Sequence, residues 1–307
     1  RGTDVSCRVC SAAASRAGAR ACAAAGIRSG SDTFSPPTHL LRVTVHLLLV
    51  RFFPGFSRMT PLLSSPLAVA GLAALASLLL PPSRDGRMLL HPFSLLSAWT
   101  HECGHAVSPL LVGGRVPQIT LHATLSGSAM SPRPDTAFNH AFTAAAGLLA
   151  PSLLGGTLIV LSALPSTAPY ALFGVATLLL LTGLLWVRTL FGLGAITVLS
   201  GASFAAGYAL SPLLQYAVLH FAGARLALES LSDVRYMFSR TATTANGESL
   251  PSDTERIARA LFPPYWFWGF LIAGASILIL ITSLYAALRL HAPEVTPPLD
   301  DLVQSFV

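Results

Sequence analysis

Charge is scarce in this 307-residue chain: only 10% of its residues are Asp, Glu, Lys or Arg, and lysine is absent altogether. Soluble domains carry roughly 25% charged residues, so a globular surface cannot be covered with so few. With 53% of the residues hydrophobic, lipid must face much of the fold. The net charge of +6 comes from arginines scattered along the sequence. They lack the aromatic interleaving that single-stranded nucleic acid requires, and no nucleic-acid partner is expected. Arginines in loops instead help to orient spans across a bilayer. Cysteine is also sparse, and the four present do not make a disulfide framework. Cys7, Cys10 and Cys22 fall in an Ala/Ser/Arg-rich leader, where no second C-x-x-C pair exists to complete a zinc site with Cys7 and Cys10.

Residues 1–58 read as that leader, either an organellar transit peptide by composition or sequence ahead of a true start at Met59. A transit peptide would direct the protein to an organellar membrane. Residues 59–291 form the integral-membrane domain, and 292–307 a short acidic tail. Apolar runs of spanning size cover about Leu62–Leu80, Leu89–Val112, Phe138–Leu164, Pro169–Val187, Leu190–Leu210, Leu213–Leu228 and Pro264–Leu288. The second run stops at Gly113-Gly114, a helix-ending pair. Between Val116 and Met130, apolar residues alternate with Gln, Thr, His and Ser, the pattern of a strand or hairpin. The expected fold is therefore an all-α polytopic membrane protein of about six or seven transmembrane helices, with a short β-hairpin-like segment after the second run.

That second run contains His101-Glu102-Cys103-Gly104-His105, an H-E-x-x-H motif. Two imidazoles four residues apart lie on one face of a helix, close enough to hold one Zn²⁺ between them. The glutamate beside the first can accept a proton from the attacking water. A fully apolar helix has little reason to carry three such groups, because an uncompensated buried charge costs several kcal/mol, and ionisable residues inside a membrane are functional candidates. Cys103 projects from the opposite face and is expected to pack as a small apolar residue.

Catalytic zinc usually takes three protein ligands. Asp253, Asp233 and Asp135 are the candidates for the third, and each has a plain structural role available. Ser252 and Glu255 have capping-box spacing, so Asp253 could simply favour a helix N-terminus. Asp135 is placed to cap a helix, and Asp233 to pair with a nearby arginine. Side-chain chemistry alone does not choose among them. His122 and His140 could approach the site, although lone histidines are more often structural.

Thr100-His101-Glu102-Cys103-Gly104-His105-Ala106 followed by Gly113-Gly114-Arg115-Val116 resembles the site-2-protease-type intramembrane zinc metallopeptidases, in particular their small bacterial-type B-like branch. Ile119-Thr120-Leu121-His122 with Ser126-Gly127 is similar to the hairpin after the motif in that branch. Ala145-Ala146-Gly147 through Pro151 and Leu154-Gly155 is similar to its next span, and Val187-Arg188 with Phe191-Gly192 to a later signature. Ser252-Asp253-Thr254-Glu255-Arg256-Ile257-Ala258, ahead of Pro263 and Trp266, resembles its closing Ser-Asp segment. The likeness covers about residues 88–288.

The resemblance implies His101 and His105 as zinc ligands, Glu102 as catalytic base, and Asp253 as third ligand with Asp233 as the alternative. It also implies a membrane-protein substrate in a lipid bilayer, cut in or near a transmembrane segment. One departure is evident: the Asn-Pro-Asp-Gly or Leu-Pro-Asp-Gly turn that carries the third ligand in better-studied members is missing from this sequence. Two other functions are compatible with the same residues. The chain could keep the fold without the reaction, as a membrane scaffold or chaperone, or its polar groups could line a transport path.

Overall fold

The computed structural model describes residues 62–80, 83–113, 118–123, 127–130, 136–164, 166–232, 234–243 and 249–291. The leader, the acidic tail, Asp135 and Asp233 lie outside the described residues. Pro66–Leu79 forms α1, whose first turn is capped by Ser65. Helix α2, Arg84–Leu111, starts five residues before the apolar run because the Ser83 hydroxyl accepts from Gly86 N and caps it. It stops at Gly113, whose φ of 81° lies in the left-handed region. Strands β1, Gln118–Leu121, and β2, Gly127–Met130, then form an antiparallel hairpin in which Ile119 faces Ala129. Next come α3, Ala137–Ala163, α4, Ala168–Trp186, α5, Leu190–Ala209, and α6, Pro212–Ser232. A short helix α7, Val234–Met237, precedes a second hairpin of β3, Thr241–Thr243, and β4, Ser249–Pro251. Helix α8, Asp253–Ala260, and the long α9, Tyr265–His291, close the order.

The fold is thus an all-α polytopic membrane architecture with small hairpins. Four helices, α3, α4, α5 and α9, are apolar and long enough to cross a membrane by length and composition. Helices α2 and α6 are as long, but polar side chains dilute them: His101, Glu102 and His105 in one, Gln215, His220, Arg225 and Glu229 in the other. Counting both, with the shorter α1, gives the six or seven helices that the apolar runs suggest.

Four polar side chains of α6 find partners inside the bundle, where a low-dielectric surround favours pairing. Gln215 Nε2 donates to Gly207 O at 2.6 Å, and His220 Nδ1 pairs with Ser162 Oγ at 2.8 Å. Arg225 donates to Ser77 Oγ of α1 at 2.8 Å and pairs with Glu229 one turn on. Glu229 in turn accepts from Ser94 Oγ of α2 at 3.0 Å.

Helix α3 is the hub. Half of its apolar window is buried, 50%, against 22% for α5 and for α9, so the latter two mostly face lipid. One core cluster joins α2, β1, α3, α4, α5 and α6 around Trp99, Ile119, Leu158, Leu179, Ile196 and Leu226. Another joins α3 to α7, α8 and α9 through Ala141, Ala144, Leu148, Met237, Ile257 and Ile272.

The first hairpin is fastened from its far side. Ile119 forms a parallel bridge with Val187, and Arg188 N donates to Ile119 O at 3.2 Å. Thr189 Oγ1 accepts from Leu121 N at 3.2 Å and donates to Leu121 O at 2.8 Å. The same hydroxyl caps α5 by accepting from Gly192 N. Strand β1 is therefore interior, with Ile119 and Leu121 buried, and β2 forms the rim.

Candidate metal centre

The i, i+4 spacing of α2 sets the His101 and His105 rings edge to face, with centroids 4.6 Å apart. Their Nε2 atoms are 3.0 Å apart. Asp253 Oδ2 approaches from the first turn of α8 and lies 3.4 Å from each of them. Ligand atoms set about 2.1 Å from a tetrahedral zinc are roughly 3.4 Å from one another, so the three atoms span one face of such a tetrahedron. Among the described residues these three make the one group of His, Cys, Asp and Glu ligand atoms close enough to share a metal, all within 4.8 Å. His122 and His140 are exposed and not part of it. Cys103 is a partly buried free thiol packed against the main core, as its place on the other face of α2 predicts.

His105 is oriented by α3. Its Nδ1 donates to Thr143 O at 2.9 Å, since a carbonyl can only accept. In the neutral ring this leaves the Nε2 lone pair pointing at His101 and Asp253, the outer-shell arrangement that fixes a metal-binding tautomer. Helices α2 and α3 approach closely enough for this contact through two glycines. A Cβ on Gly104 would sit 2.8 Å from Gly147 Cα, and a Cβ on Gly147 would collide with the His105 ring itself.

Asp253 reaches the site because its segment is pinned on both sides. Ser252 Oγ accepts from Glu255 N at 3.2 Å, the helix cap that the sequence implies, and donates to Ser239 O. Thr254 Oγ1 donates to Met237 O at 2.9 Å. Ser252 thus makes the cap, while Asp253, the first residue of α8, faces the histidines. Burial disfavours ionisation of Asp253, but the facing His105 and His101 rings, in their protonated form, outweigh it and hold the carboxyl well below the usual carboxylate range. Tyr236 OH donates to the same Oδ2 at 2.6 Å. Sequence reasoning passes over Tyr236, because a tyrosine 17 residues before the aspartate carries no local signal.

Glu102 is buried beside both histidines, and its Oε2 has no hydrogen-bond partner among the described residues. The three candidate ligand side chains are graded in access: His101 is 24% exposed, His105 11% and Asp253 4%. The approach to the centre is thus on the His101 side. The donor set fits a divalent cation in chemistry as well as in spacing. Two imidazole nitrogens and a carboxylate oxygen suit zinc, and three protein ligands leave a position open.

Fold and donor set together define a polytopic integral membrane protein with one candidate metal site between α2 and α8. A family model described as Peptidase M50B-like matches residues 68–283, and the chain belongs to that family, the site-2-protease family of intramembrane metallopeptidases. The match takes in α1 as well as the stretch that carries the motifs. No curated protein and no solved structure matches the chain significantly.

Proposed function

We propose that residues 59–291 form an intramembrane zinc metalloprotease that hydrolyses peptide bonds in or near transmembrane segments of membrane proteins. The observation that carries this reading is the convergence of His101 Nε2, His105 Nε2 and Asp253 Oδ2 beside a buried Glu102. His101, His105 and Asp253 would hold the ion. Zinc, when bound, supplies Lewis-acid activation of water and of a carbonyl oxygen at neutral pH. Glu102 accepts the proton as water adds to the scissile carbonyl carbon, then delivers it to the amine as the C–N bond breaks. The closed bundle around Glu102 limits water to what enters on the His101 side.

A peptide bond in a helix is shielded by its own hydrogen bonds, so the substrate must unwind locally. Strand β1 is filled on both edges, by β2 and by the Val187–Thr189 segment. An unwound substrate would therefore add to the outer edge of β2, which has no strand partner among the described residues.

Glu102→Gln separates this reading from its rivals. It keeps the shape of the side chain and removes the base, so zinc should be retained while cleavage falls by a factor on the order of 10² or more. Cleavage products in membranes of cells carrying the wild type should disappear in cells carrying the variant. Cleavage at the wild-type rate by Glu102→Gln refutes the mechanism. A variant that loses no cellular function favours a scaffold of the same fold.

A further inference from the structure

The Tyr236 hydroxyl contacts both the side chain and the backbone of Asp253. We propose that Tyr236 is a positioning residue for the metal centre: its hydroxyl selects Oδ2 of Asp253 as the ligand atom and aims it at His101 and His105. The inference rests on the zinc reading of the site and deepens it.

The two oxygens of Asp253 have different surroundings. Oδ2 accepts from Tyr236 OH at 2.6 Å and faces both Nε2 atoms at 3.4 Å. Oδ1 faces Arg256 Nη1 at 3.6 Å, from a side chain that is half exposed. The tyrosine hydroxyl also accepts from Asp253 N at 3.3 Å. One hydroxyl thus bridges the backbone and the side chain of the same residue, which fixes both the position of Asp253 and its rotamer. Donation to one lone pair of Oδ2 leaves the other for a cation.

The hydroxyl is itself held. The Tyr236 ring packs against the cluster formed by Ala141, Ala144, Met237 and Ile257, and the neighbouring Met237 carbonyl accepts from Thr254 Oγ1. A phenol O–H facing a carboxylate oxygen can only donate to it, since an ionised carboxylate has acceptors alone. A carboxylate ligand steadied by a hydrogen bond from a packed side chain is the usual outer-shell device of metal sites, and its loss typically weakens metal binding 10- to 100-fold.

The experiment measures Zn²⁺ affinity of the full chain in detergent by competition with a chromophoric chelator, for wild type, Tyr236→Phe, Asp253→Ala and the double variant. Phe keeps the packed ring and removes only the hydroxyl. The expected result is about 10- to 100-fold weaker binding by Tyr236→Phe, with thermal unfolding of the zinc-free protein little changed. In the Asp253→Ala background the same substitution should have no further effect, because Tyr236 acts through Asp253. The visible spectrum of the Co²⁺-loaded protein should also shift in Tyr236→Phe. Wild-type affinity in Tyr236→Phe overturns the proposal, and so does an equal loss in the Asp253→Ala background. Failure of the wild type to bind Zn²⁺ overturns the underlying zinc reading as well, so the two failures are distinguishable. If Tyr236→Phe is not recovered folded, Tyr236→Met, which keeps apolar volume without a hydroxyl, is held to the same outcomes.

Discussion

Gly147→Ala places a methyl group in the volume occupied by the His105 imidazole. The ring has nowhere to retreat while keeping its contacts. Its Nδ1 is tied to Thr143 O, one turn before Gly147 on α3, and its backbone is held against α3 at Gly104, where a new Cβ would meet Ala150 Cβ at 2.8 Å. Either the ring turns away or the two helices separate. Turning away forfeits a hydrogen bond worth about 1 kcal/mol net and takes Nε2 off the point where His101 and Asp253 meet. Separation incurs the overpacking cost of about 1–3 kcal/mol. Zinc affinity should fall at least 10-fold, the lower end of the effect of disturbing a ligand's outer shell. Gly194→Ala is the control. No atom lies within 4 Å of a Cβ built there, and alanine favours a helix interior by about 0.8–1 kcal/mol over glycine. It should bind zinc like the wild type and unfold at the same or a slightly higher temperature. The assays are chelator competition for the metal and thermal unfolding in detergent for the zinc-free protein. Gly147→Ala with wild-type zinc affinity and an unchanged melting temperature would refute the claim that α3 orients His105.

Two further substitutions probe the scaffold. Thr189→Val keeps side-chain shape but leaves the N–H and C=O of Leu121 without their hydroxyl partner; an unmade bond to a buried group costs about 1–3 kcal/mol, so stability should fall by about 2 kcal/mol and the Leu121 amide should exchange hydrogen faster. Arg225→Met removes the cation paired with Glu229 at the buried face of α6 and leaves the Ser94 hydroxyl on the carboxylate. Breaking a buried pair costs about 3–5 kcal/mol, and the partial exposure of Glu229 favours the low end. The double variant with Glu229→Met should recover most of that loss in denaturant unfolding.

The helices were largely legible as apolar runs, and all seven runs contain a helix. Their ends were legible where a cap announced them, as at Ser252 or Gly113, and less so at α2, where polar Arg84 and Asp85 hide a helical turn outside the apolar run. The alternation in Ile119, Thr120 and Leu121 identified the hairpin, because burial in a strand has period two. It could not reveal that β1 is the inner strand, which depends on Val187 and Thr189 some 68 residues away. The same division runs through the site. His101, Glu102 and His105 sit within five residues on one helix, so their spacing is itself a geometric statement. Asp253 was one of three open aspartates on chemical grounds, and only the family resemblance ranked it first. Gly147 and Tyr236 had no sequence signature, since one acts by lacking a side chain and the other through a contact made by the tertiary fold.

The candidate centre is assembled by a helix that contributes none of the proposed ligands. His101 and His105 come from α2 and Asp253 from α8, 148 residues after His105. Both pack on the N-terminal half of α3. On one face, Thr143 O and the bare Cα of Gly147 receive His105; against Ala141 and Ala144 lie Met237 and Ile257, which bracket the Tyr236 and Asp253 segments. Small residues are what allow helices to approach closely where lipid gives no hydrophobic drive to association. Here that approach sets the separation between two ligand-bearing elements to within about 3.4 Å at the ligand atoms. Precision at the proposed metal site is therefore a property of the α3 surface, and Ala141 with the run from Ala144 to Gly147 is as much a part of that site as the H-E-x-x-H motif.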